Sequence, residues 1–230
     1  MNKILNNIVN IGKSFFGLVI YFAVSIIFVY IIKSIPNLTP FTYSILLIIS
    51  EIVTAGLLII VYRKKLKKDF IDFDKNYKKY LSFGFKIWLI GIIVMIVSNT
   101  IIYNLITNNI AYNQELNIMA IQRYPLYSVI AIIMIGPFVE EIVYRLSFKE
   151  ALKSKTLYYI LTVFIFASMH VLNGITSPLE LLYYIPYGAL AIAFSYILDK
   201  TDNIFTTTII HTFHNALSIV LIIIAGFLGV

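Results

Sequence analysis

The sequence predicts an all-α fold, a polytopic transmembrane helix bundle of seven or eight spans. Three observations predict it. Of 230 residues, 60% are hydrophobic, and the mean hydropathy is +0.90. Only 13% are charged, against about 25% in a soluble globular domain. The apolar residues also gather into runs close to the roughly 20 residues that a spanning helix needs. The chain has no cysteine, which excludes disulfides, thiolate metal sites and cysteine nucleophiles.

The first run, Phe15 to Ile32, follows a basic start. It is long for a signal peptide and no small-residue cleavage site follows it, so it reads as a retained span over residues 14–32. Spans at 41–62 and 82–107 flank the basic stretch "RKKLKKDFIDFDKNYKKY". "NQELNIMAIQRY" predicts a short interfacial helix. Further spans follow at 126–148, 157–172, 178–198 and 203–228. The fifth is the shortest. A break in the last near Asn215 would raise the count to eight. No internal repeat, low-complexity tract or linker divides the chain, so residues 1–230 read as a single membrane domain.

The distribution of basic residues sets the orientation. An N-terminus inside puts fourteen of them on inner segments: Lys3, Lys13, Arg63, Lys64, Lys65, Lys67, Lys68, Lys75, Lys78, Lys79, Lys149, Lys153, Lys155 and Lys200. The outer loops then hold only Lys33 and Arg123, and seven spans place the C-terminus outside. The expected location is a bacterial plasma membrane. The net charge of +7 comes mostly from the basic stretch. That stretch reads as a topology determinant lying on anionic lipid. Docking of an acidic substrate is the second reading, and nucleic acid is not an expected partner.

Charged residues near a helix centre cost about 2.5–3.5 kcal/mol each on insertion scales, so those present are functional candidates. The stretch "IGPFVEEIVYRLSF" holds three. Glu141 and Arg145 are four apart and share a helix face. Glu140 is turned by about 100° from Glu141. The spacing gives one glutamate to the arginine and leaves the other for chemistry. Gly136 and Pro137 permit a kink just ahead of them. All three histidines also fall inside spans: His170 in "FASMH", and His211 and His214 in "HTFHN". A lone membrane histidine is often an interhelical hydrogen-bonding group, and a lone ion pair often only locks helices together. Two carboxylates, an arginine, three histidines and Asn215 on three spans form a set suited to catalysis. Glu51, in the second span, has no partner in sequence and reads as a structural carboxyl. Glu180 can reach the outer interface.

These motifs resemble the CAAX protease and bacteriocin-processing (CPBP, or Abi) family of intramembrane proteases. Its signature is EExxxR, FxxxH and HxxxN or HxxxD on separate helices. Here they read "EEIVYR" (Glu140–Arg145), "FASMH" (Phe166–His170) and "HTFHN" (His211–Asn215), in the family's order. The resemblance covers roughly residues 125–220 and implies a protease core there. It implies hydrolysis of a peptide bond inside the membrane domain. Glu140, assisted by His170, would activate water. His211 and Asn215 would stabilise the oxyanion. Glu141 and Arg145 would organise the site, with Glu141 a second contributor to the base. His214 lies outside the pattern.

The resemblance carries a metalloprotease label, and Glu140, His170 and His211 could supply a zinc ion with three ligands. HExxH is absent, and the same residues also serve a metal-free, glutamate-activated water. The metal-free mechanism is the preferred reading, with zinc as the alternative. The implied partners are a peptide or protein substrate, such as a prenylated tail or a leader peptide, and the bilayer. A non-catalytic self-immunity or envelope scaffold protein of the same family is the competing function. A proton-coupled transporter is disfavoured, because no repeated halves or paired broken helices are present. Counting rises from the inner helix ends places Glu140 and His211 about 12 Å deep and His170 about 20 Å deep.

Overall fold

A computed structural model describes residue 12 and residues 15–228. Lys3, Lys13 and the start of the first expected span at residue 14 lie outside the described residues. Helix α1 runs Phe16–Ser34, and α2 runs Pro40–Ile102 with a π-helical extension to Thr107. Helix α3 is Tyr112–Arg123, the short helix expected before the motif span. Helix α4, Pro125–Ala151, carries EEIVYR. Helices α5 (Lys155–Val171), α6 (Tyr184–Thr201, after a 3₁₀ turn over Pro178–Tyr183) and α7 (Ile204–Leu228) complete the fold.

Among the described residues six helices are long and apolar enough to cross a membrane, against the seven or eight expected. The difference arises in α2, which joins the second and third expected spans into one helical run. Residues 63–81 contain neither glycine nor proline and are rich in lysine, a good helix former, so nothing there interrupts the backbone hydrogen bonds. The proposed break in the last span is also absent, since α7 passes Asn215 without interruption.

Helix α2 nevertheless doubles back. A straight helix would hold Tyr43 and Ile102 about 90 Å apart. Yet Tyr43 packs on Tyr124 with ring centroids 5.0 Å apart, while Ile102 shares a buried cluster with Ala111. The 13 residues from Ala111 to Tyr124 cannot reach beyond about 45 Å even if extended. The reversal falls between Asp69, whose carboxylate accepts the Ile204 N–H at 3.1 Å, and Gly84, which packs against Ile210. Residues 40–68 form a first arm against α1 and α4, and residues 84–102 a second arm against α6 and α7.

Polar contacts tie the end where α2 reverses. The α6–α7 connection places Asp202 at φ 50°, in the left-handed region. Its carboxylate meets Lys149 at 2.6 Å and Lys65 at 3.3 Å. Fully buried Asn203 donates to the Asp69 carbonyl at 2.7 Å. This basic end gathers α2, α4, α6 and α7, and fixes the starting register of α7 beneath the motif residues. Glu180, at the other end, closes its own loop by accepting the Thr176 N–H at 2.9 Å.

The main core packs Leu58 and Leu66 of the first arm with Val139, Ile142, Val143 and Leu146 of α4, Phe166 of α5, and Ala191 and Leu198 of α6. A second cluster joins Trp88 of the second arm to Leu190, Phe194 and Ile197 of α6 and Ile210 of α7. The motif residues sit between the two.

Candidate active site

Helix α4 is not uniform. It widens to π geometry over Ser128–Ile135, returns to α over Gly136–Glu141, and widens again over Ile142–Leu146. Such π segments often occur at functional sites. A Cβ on Gly136 would come 2.8 Å from the Ala131 carbonyl oxygen, so glycine permits the close turn there. At the second π segment the Ser147 hydroxyl donates to the Ile142 carbonyl, five residues back, at 2.7 Å. Tyr62 of the first arm donates to that same hydroxyl at 2.9 Å. The two widenings bracket the six-residue segment that carries both glutamates.

Glu141 and Arg145 are both wholly inaccessible, and Arg145 Nη1 lies 2.9 Å from Glu141 Oε1. The same oxygen accepts from His211 Nδ1 at 2.8 Å. The buried Nε and Nη2 of Arg145 find no hydrogen-bond acceptor. Instead the guanidinium lies over Phe166 at 4.1 Å and Phe194 at 5.5 Å, and these cation–π contacts offset part of the cost of burying it.

Glu140 is placed differently. Its side chain is 27% exposed, and its Oε2 lies 3.8 Å from His211 Nε2. Oε2 is itself buried and has no hydrogen-bond partner. The adjacent glutamates therefore face the two nitrogens of one imidazole. Since the Glu141–Arg145 ion pair holds Glu141 as an acceptor, His211 Nδ1 carries the proton shared with it, and Nε2 is turned to Glu140.

His170 Nδ1 lies 2.8 Å from the Phe166 carbonyl oxygen. A carbonyl only accepts, so Nδ1 donates and Nε2 keeps its lone pair. The imidazole packs on Phe166 at 4.1 Å and Tyr187 at 5.2 Å. Glu140 is near enough to act on it through space. The imidazole in closest contact with Glu140 is that of His211, and Phe166 bridges the expected depth gap by touching both His170 and His211, the latter at 6.3 Å. Asn215 donates from Nδ2 to the Ile132 carbonyl at 2.9 Å.

Several contacts around the motif residues were not legible in the sequence, including those of His214 and Glu51, which it singles out without a partner. Phe194 stacks on His211 with centroids 4.8 Å apart. Trp88 Nε1 donates to His214 Nδ1 at 3.4 Å. Glu51 of the first arm lies within electrostatic reach of Glu140, Tyr21 and Tyr127. Among the described residues no group of three His, Cys, Asp or Glu side chains is placed to hold a metal ion. Glu140, His170 and His211 do not form such a group in this arrangement.

Fold and site together define an integral membrane helix bundle with a buried carboxylate, imidazole and guanidinium centre. Residues 122–217 match the family model described as Type II CAAX prenyl endopeptidase Rce1-like. This segment contains all three motifs, and over it the chain is similar to the CAAX prenyl endopeptidases. The family that the matching model describes is one of endopeptidases. No curated protein and no solved structure matches the chain.

Proposed function

We propose that this protein is an intramembrane endopeptidase of the CAAX type in which Glu140 activates the attacking water. The observation that carries the reading is the buried, unpaired Glu140 Oε2, 3.8 Å from an imidazole whose other nitrogen is held by Glu141. Glu141 Oε2 also lacks a hydrogen bond, but Glu141 is wholly buried and its Oε1 is held by both Arg145 and His211, whereas Glu140 is partly exposed and has no ion-pair partner other than His211.

In the proposed reaction Glu140 removes a proton from water as its oxygen attacks the scissile carbonyl carbon. The His170 Nε2 lone pair accepts the second water hydrogen as a hydrogen bond. The carbonyl becomes a tetrahedral oxyanion. With Nδ1–H committed to Glu141, His211 can donate to that oxyanion only through Nε2 and only as the doubly protonated ring. Glu140 then passes its proton to the leaving nitrogen as the C–N bond breaks, giving one carboxylic acid and one amine. In this reading no step runs through zinc. Phe194 and Tyr187 fix the two rings, which preorganises the donors and acceptors.

The arms of α2 count as separate crossings in this reading, which gives seven, with the basic end in the cytoplasm, the N-terminus inside and the C-terminus outside. Glu141 and His211 then lie about 10–15 Å from that face, and the site opens toward it. Residues 125–220 form the protease core of one membrane domain. The test is peptide release from cells carrying wild type, Glu140→Ala or His211→Ala, read by mass spectrometry. A product present only with wild type is the expected result. If both variants retain it, the residue assignment fails, and an intact phenotype without any cleavage points to a non-catalytic membrane protein.

A further inference from the structure

We infer that Asn215 is a positioning residue: its amide supplies the hydrogen bond that Pro137 denies to the Ile132 carbonyl, locking α7 in register with the segment that carries Glu140. In the first π segment of α4 the Gly136 N–H bonds to the Ala131 oxygen, five residues back. The next bond in that register would run from residue 137 to the Ile132 oxygen. Proline has no N–H, so that carbonyl loses its partner within the helix. Asn215 Nδ2 donates to this oxygen at 2.9 Å from another helix.

A buried carbonyl without a partner carries a penalty comparable to a lost hydrogen bond. The bond therefore has a preferred place along α7. Asn215 is four residues, one turn, beyond His211, and Ile132 is eight before Glu140. Together they set how far α7 slides along α4, and so the 3.8 Å approach of His211 Nε2 to Glu140 Oε2. At the other end of the glutamate segment the Ile142 carbonyl keeps its helical partner, the Ser147 N–H, and accepts the Ser147 hydroxyl as well, so the orphaned carbonyl is a feature of the Pro137 end. One Nδ2 hydrogen of Asn215 is committed to Ile132 and the amide keeps a second, so the role inferred here is the placing of α7, whatever the second hydrogen does.

The inference rests on the proposed reading of the site, and a double-mutant cycle separates the two. Asn215→Ala, Pro137→Ala and the double variant are compared for peptide cleavage and for thermal midpoint in detergent. In the wild-type background Asn215→Ala is expected to lower kcat about tenfold to a hundredfold with KM little changed. It is also expected to lower the midpoint by about 2–4 °C. In the Pro137→Ala background residue 137 regains its N–H, so the same change should cost less than about threefold and leave the midpoint nearly unmoved. Equal penalties in both backgrounds overturn the inference and favour an amide acting directly on the oxyanion. If the wild type cleaves no peptide, the protease reading falls while the midpoint cycle still decides the hydrogen bond. Should Pro137→Ala not fold, Pro137→Ser restores the same N–H.

Discussion

The adjacent glutamates offer a sharp contrast, because one chemical change at neighbouring positions should give opposite phenotypes. Glu141→Gln removes a charge 2.9 Å from Arg145, where both side chains are fully buried. At that distance the attraction is about 6 kcal/mol for an effective dielectric of 20. Glutamine keeps an acceptor for the guanidinium, and the stranded arginine keeps its ring contacts. The net loss should then fall near the value of about 3–5 kcal/mol for breaking a buried pair. Glu140→Gln acts on a partly exposed side chain whose Oε2 has no hydrogen bond. Its stability change should stay within about 0.5 kcal/mol, while removal of the base should lower kcat by about 10²–10⁴-fold. Both variants would be reconstituted in bicelles, with unfolding followed by circular dichroism and cleavage by peptide release. A Glu140→Gln protein that keeps activity within threefold of wild type refutes the base assignment. A Glu141→Gln protein as stable as Glu140→Gln refutes the account of the buried pair.

Phe194→Leu removes the ring stacked on His211, and kcat should fall about tenfold with KM nearly constant. Gly91→Leu would drive a side chain into Ala193, whose Cβ would lie 2.8 Å from the new Cβ; chemical unfolding should register a loss of about 1–3 kcal/mol from overpacking. At the basic end burial pushes the Asp202 carboxyl up, but the Lys149 hydrogen bond and charge, with Lys65, outweigh it and hold the group below the usual carboxylate range. A depressed pKa contributes stability above the ordinary range and loses it as pH falls through the folded value. The stability gap between wild type and Asp202→Asn should therefore be small, under about 1 kcal/mol at neutral pH. It should shrink with salt and vanish in acid. Cleavage by purified protein is expected to survive exhaustive chelation, since no three ligands converge; loss of activity restored by added zinc would reverse that expectation.

Much of the helical layout was legible because hydropathy and helical spacing are local properties. The runs around residues 16–34, 155–171 and 204–228 needed only their apolar length. The Glu141–Arg145 pair needed only a four-residue separation on one helix. The charge of the basic stretch marks where the second and third expected spans leave the apolar layer. Charge does not end a helix when no residue breaks the backbone ladder, and α2 continues through it. What bends α2 back is packing against α6 and α7, which is a long-range property.

The same division runs through the site. Sequence by itself determined which residue types are present, that they fall within apolar helices, and that Glu140 and Glu141 point in different directions. Only the tertiary structure decided that both carboxylates meet the same imidazole, that the imidazole is His211, and that Phe194 and Tyr187 hold the histidine rings. It also decided that the Asn215 amide is engaged by a backbone carbonyl. The reason is physical. A helix fixes the bearing of its own side chains through 3.6-residue geometry, but the rotation and sliding of one helix against another are set by packing and by hydrogen bonds between residues far apart in the chain.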